Sequence, residues 1–130
     1  MYILMATTSV LLALTQTATA QTVAIDSADL PYVTALLHKN SHEVTTSFFE
    51  DVGSYDGSMM VGDDTVYAVT FDNHMQVFCG KPDDAISVKP GDVVTLAGKV
   101  LMGDNVFVMQ TCSLRVATLH EQEIHAEINR

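Results

Sequence analysis

The stretch from His42 to Ala117 limits the fold most, because short β-branched and aromatic runs are cut every few residues by Gly, Asp, Asn or Pro. Such runs suit pleated strands, and the turn residues between them leave no room for long helices. The first run is Val44 to Phe49, ended by a turn-rich stretch from Glu50 to Gly57. Ser58 to Val61 and Thr65 to Phe71 follow, separated by Gly62-Asp63-Asp64, and Met75 to Cys79 comes after the turn Asp72-Asn73-His74. Two better-patterned strands close the region. Asp92 to Met102 sets Val94, Leu96, Gly98, Val100 and Met102 on one face. Asn105 to Ala117 does the same with Val106, Val108, Cys112, Leu114 and Val116, and Gly103-Asp104 supplies the hairpin turn. Five or six short strands in one chain of this size predict a small barrel or sandwich.

Ahead of the strands, Asp26-Ser27-Ala28-Asp29 has the composition of a helix start, with Asp26 or Ser27 as the cap and Pro31 tolerated in the first turn. Leu30, Val33, Leu36 and Leu37 form a one-sided apolar stripe, which predicts an amphipathic helix over about residues 27–39. His38 and Lys39 fall in its last turn, where positive charge suits the helix dipole. Residues 118–130 form a charged tail.

The N-terminus carries a different signal. Ile3 to Leu14 is an apolar run, followed by Thr15-Gln16-Thr17 and then Ala18-Thr19-Ala20. That order predicts a signal peptide over residues 1–20, cut after Ala20, which exports the domain at 21–117 to a periplasmic or extracellular space. The apolar run is about a dozen residues, short of the roughly 20 that a spanning helix needs. The chain is not expected to stay in the membrane after cleavage.

Sixteen acidic residues against six basic give a formal net charge of −10. Binding to phosphate backbones is driven by Lys and Arg, so nucleic acid is a disfavoured partner, and anionic membranes are disfavoured for the same reason. Cys79 and Cys112 are the only cysteines. An even count in a small exported domain predicts one disulfide, and the absence of a C-x-x-C pair argues against redox catalysis or zinc.

Three segments together resemble a known family. Phe78-Cys79, the run Val88-Lys89-Pro90-Gly91-Asp92-Val93-Val94-Thr95-Leu96-Ala97-Gly98-Lys99-Val100, and Asn105 to Cys112 are similar to the exported tRNA-anti-like OB-fold domains. Those share a cysteine closing the third strand, a K-x-G-D-x-V-x-x-x-G fourth strand and a second cysteine in the fifth. The resemblance implies a mainly β fold, a five-stranded OB-type barrel preceded by a short helix, with Cys79 and Cys112 bridging strands three and five. Such domains tend to carry a glycine where the first strand coils, and Val44 to Phe48 has none. OB barrels bind oligonucleotides, oligosaccharides or proteins, so the fold leaves the ligand open.

No stretch of the sequence carries a catalytic signature. His120 and His125 are five positions apart, whereas two ligands on one helical face need i and i+4. His74 is expected in an exposed turn. Asp63-Asp64, Asp83-Asp84, Asp56, Asp72, Asp92 and Asp104 suit turns and form no calcium loop, so neither a metal nor a cofactor is expected. Tyr67 and Phe71 share one face of a strand and are the candidate ligand face, able to stack a base or sugar ring. The sequence therefore points to a non-enzymatic binding module, with a protein or peptide as the expected partner. Single-stranded nucleic acid or oligosaccharide on the strand 2–3 face is the alternative. Amino-terminal sequencing of the exported protein should give Gln21 as the first residue, and a product beginning at Met1 would refute export by cleavage.

Overall fold

The computed structural model describes residues 23, 25–40, 46–103 and 105–128. The signal peptide expected over 1–20, the start of the first run at Val44 and Asp104 of the hairpin turn lie outside the described residues. One helix, α1 (Leu30–His38), precedes five strands: β1 (Ser47–Val61), β2 (Asp64–Thr70), β3 (Gln76–Pro82), β4 (Val93–Met102) and β5 (Phe107–Val116). A second helix, α2 (Leu119–Ile128), follows them. The strands close into a barrel in the order β1-β2-β3-β5-β4, with β3 and β5 parallel and the other pairs antiparallel. This is an OB-type barrel.

The stretch expected to be a turn, Glu50 to Gly57, is the middle of β1. Residues 47–54 of this strand pair with β4 and residues 54–61 pair with β2, so a single coiled strand serves both halves of the barrel. Gly53 makes the bend possible. A Cβ there would lie 2.7 Å from the Thr70 carbonyl oxygen and 2.8 Å from Phe71 and Val69 side-chain atoms, so no other residue fits. The coiling glycine absent from Val44 to Phe48 thus sits further along the same strand. A bulge follows between Tyr55 and Gly57, and Gly57 takes a φ of 118° there. The bulged residue, Asp56, is buried, and its carboxylate accepts hydrogen bonds from the Thr70 hydroxyl and the Gln76 amide.

Inside the barrel, Tyr55, Val69, Phe71, Val77, Cys79, Val94, Leu96, Met109, Cys112 and Leu114 form one buried cluster. The alternation expected for β4 and β5 holds only in part. The β4–β5 register slips between Ala97 and Leu101, so Leu101 is buried and Met102 is exposed. In β5, Met109 and Cys112 both face inward, while Val106 and Val108 join a second cluster outside the barrel. One extra residue in β5 therefore reverses the faces on either side of it. The loop after β3 sends Val88, and in part Ile86, back against the interior.

That second cluster is where α1 packs. Val33, fully buried, with Leu30, Leu36 and Leu37, meets Val66, Ala68, Phe78 and Val108, so the predicted stripe is the packing face. The helix starts later than expected: Asp29 is the N-cap and makes no side-chain cap bond, and Pro31 lies in the first turn. Burial of each large apolar side chain contributes about 1.5–3 kcal/mol, so α1 is a fixed part of the fold.

α2, in the expected charged tail, is attached by other means. It buries no side chain. Thr118 and Glu121 form a reciprocal capping box, Glu121 N–H donating to the Thr118 hydroxyl at 3.1 Å and Thr118 N–H to the Glu121 carboxylate at 2.9 Å. Arg115 on β5 donates to both Glu121 oxygens at 2.6 Å. His125 stands between two carboxylates, Nδ1 at 3.0 Å from Asp51 and Nε2 at 2.8 Å from Asp72. Partly exposed polar contacts of this kind contribute only about 0.2–1 kcal/mol each.

Cys79 and Cys112 are joined, with Cα atoms 6.1 Å apart and a sequence separation of 33. Chain-entropy arguments give such a loop roughly 3–4 kcal/mol. Denaturant titration of a Cys79→Ser, Cys112→Ser variant should show a loss of that order, and a loss below about 1 kcal/mol would contradict it. Glu121 gives a second expectation. Its carboxyl is held down to about 2, first by the Arg115 hydrogen bond and then by the Thr118 N–H, from an ordinary value of 4.5. Its contribution is present above the unfolded value and disappears as pH falls from 4.5 toward about 2. Protease susceptibility of α2 should rise across that window, and Glu121→Gln should remove the pH dependence.

Candidate functional site

Tyr67 and Phe71, the candidate ligand face, point into the barrel. Phe71 is 5% exposed and packs edge-on against Phe49, with ring centroids 5.1 Å apart. Tyr67 is partly buried against the same interior cluster and pairs across the ladder with Cys79. Neither offers an open stacking face. Burial, and then the neighbouring Tyr67, pushes the Tyr55 phenol up, so this inner tyrosine is poorly suited to give up a proton.

The outer side of the same strands is also closed. Val66 and Ala68 of β2 and Phe78 of β3 are buried beneath α1. A ligand taking the outer strand 2–3 face would have to strip several buried apolar side chains, at about 1.5–3 kcal/mol each. The sequence carries a signal for this. In Val66-Tyr67-Ala68-Val69-Thr70-Phe71 both alternating sets are largely apolar, the pattern of a strand covered on both faces.

The open surface lies across the barrel, on the outer side of β1, β4 and β5. Phe48 of β1 and Lys99 of β4 pair across the ladder and point outward together. Phe48 is 71% exposed, an unusual position for a large aromatic on a strand. Adjacent Phe48 and Phe49 cannot both face inward, which is the sequence signal for one exposed ring. A cleft of about 400 Å³ surrounds the pair, walled by Thr46, Leu101, Gln110 and Thr111. It sits where the β4–β5 register slips. Gln110 stiffens one wall, its amide donating to the Leu36 and Lys39 carbonyls at the end of α1. Those carbonyls are among the groups a helix C-terminus leaves open.

Among the described residues the cleft combines one aromatic ring, one ammonium group and neutral hydroxyl and amide groups, with no carboxylate in its lining. In a chain of net charge −10 this is a local exception. It can take an apolar side chain against Phe48 and a hydrogen-bond acceptor or carboxylate near Lys99. Such chemistry suits binding.

Several acidic residues elsewhere have structural partners. Asp64 accepts from His38 at 2.8 Å, and Asp92 accepts the Lys89 N–H at 2.8 Å within the turn before β4. His74 is exposed in the β2–β3 turn with a φ of 65°. Among the described residues no group of three or more His, Cys, Asp or Glu is arranged to hold a metal ion.

No protein-family model matches the chain, and no curated protein matches it.

Proposed function

We propose that this chain is an exported, non-enzymatic binding module of the tRNA-anti-like OB-fold kind, and that it engages a protein or peptide through the Phe48–Lys99 cleft. The observation that carries this reading is Phe48 itself, a ring 71% exposed in a walled cleft on a rigid barrel. Aromatic anchors in such settings dominate protein interfaces. Export is supported by the joined Cys79 and Cys112, which suit an oxidising compartment. No helix among the described residues is long and apolar enough to cross a membrane.

Nucleic acid fits less well. A micromolar complex needs about 8 kcal/mol, stacking on one ring supplies about 1–3, and Lys99 is the only cation among the described residues that line the cleft.

Phe48→Ser is the discriminating variant, since an exposed side chain can be lost with little change in stability. Truncating an anchor costs about 2 kcal/mol or more, roughly thirtyfold in affinity. Quantitative capture from the exported fraction of the native cells should therefore retain partners on the wild-type protein and lose them on Phe48→Ser. Equal retention by both, or micromolar oligonucleotide binding that weakens steeply with salt, would refute the reading.

A further inference from the structure

α2 crosses the barrel above a strip of β1 and β4 where Val52 and Thr95 pair across the ladder. Val94 and Leu96 belong to the interior cluster, so Thr95 points outward beneath the helix. Between helix and strands lies a second cleft, of about 340 Å³. Its apolar wall is Val52 from the sheet with Ile124 and Ile128 from α2, and Glu50, Asp51 and Glu121 add three carboxylates.

Thr95 lines this cleft and is 4% exposed, and its hydroxyl has no hydrogen-bond partner. A buried hydroxyl left unpaired destabilises a fold, and valine would fill nearly the same volume without that cost. Thr95 lies in the wall of a space with an apolar side and a side lined by three carboxylates and His125. Of the carboxylates, Glu121 is engaged by Arg115 and Asp51 by His125, which Asp72 shares. Among the lining residues the three carboxylates, Glu50, Asp51 and Glu121, still outnumber the one basic side chain, His125.

We propose that this cleft binds a primary ammonium group on a short aliphatic chain, the chemistry common to lysine side chains and small polyamines. The methylenes lie against Val52, Ile124 and Ile128. The ammonium, with three N–H donors, gives one to the Thr95 hydroxyl and the others to the carboxylate rim. The site is independent of the Phe48 cleft, because it shares no lining residue with it.

The test titrates the full exported protein, at constant ionic strength, with n-butylammonium, 1,5-diaminopentane and a lysine-containing tripeptide, using tetramethylammonium and butyrate as controls. Amide NMR shifts and calorimetry are the readouts. Saturable shifts at Val52, Thr95 and Ile124 are expected with the primary ammonium probes and not with the controls. The tighter of diamine and tripeptide then identifies the source. Thr95→Val carries a two-sided signature: a higher melting temperature without ligand, and at least fivefold weaker ammonium binding. Glu50→Gln should also weaken binding, whereas Phe48→Ser should leave it unchanged. Equal shifts with tetramethylammonium, or unchanged affinity in Thr95→Val, would overturn the proposal.

Discussion

The barrel depends on the contact at Gly53, where the β1 backbone lies against the Thr70 carbonyl and the side chains of Val69 and Phe71. Any Cβ at that point would enter space already taken. Because the strand can bend there, its first half pairs with β4 and its second half with β2, and the sheet closes on itself. Closure removes the free edges that a five-stranded open sheet would expose. It also brings β3 beside β5, so the Cys79–Cys112 link ties together two strands whose pairing closes a long loop.

The outer surface of the barrel is divided between two helices attached by different physics. α1 is held by burial: Val33 and its neighbours seal Val66, Ala68 and Phe78, and several such side chains outweigh any single polar contact. α2 has no buried side chain of its own and is held by a capping box, a bidentate Arg115–Glu121 pair and the His125 contacts to Asp51 and Asp72. Elements held this way open at lower free energy than the core they rest on. The sheet face under α1 is therefore closed to ligands, the face around Phe48 is open, and the strip under α2 lies beneath a lightly held cover.

Much of this was legible in the sequence. The α1 stripe, the β-rich class and the joined cysteines follow from periodicity, turn residues and the even cysteine count, and the OB-type closure was implied by the resemblance read across Phe78 to Cys112. The failures have specific causes. Glu50 to Gly57 has turn composition because a strongly coiled and bulged strand needs the same glycines and small polar residues as a turn. The reversal in β5 is hidden because Val106, Val108, Cys112 and Leu114 keep an even spacing, and no glycine marks the extra residue between Met109 and Cys112. The pairing of Tyr67 with Phe71 was correct as geometry, but alternation alone does not say which face is the inside. In the tail, Thr118-x-x-Glu121 is a helix-start signal that the histidine spacing beside it obscured.

Charge is the property that separates the two open regions. Among the described residues the cleft at Phe48 has Lys99 and no acidic lining residue, while the α2 cleft is lined by Glu50, Asp51 and Glu121. Phe48 and Glu50 are both outward residues of β1, two positions apart, so the reversal of sign occurs within one step along the strand. A net charge of −10 spread evenly would repel an acidic partner from every side. Here the carboxylates are drawn toward the helix and turns, where His125, Arg115, His38 and backbone N–H groups hold several of them. An acceptor-bearing apolar group can thus approach Phe48 and Lys99 without meeting a carboxylate among the described lining residues, and a cation is drawn to the opposite side of Glu50. The outer side of a single strand thus presents two neighbouring regions of opposite preference.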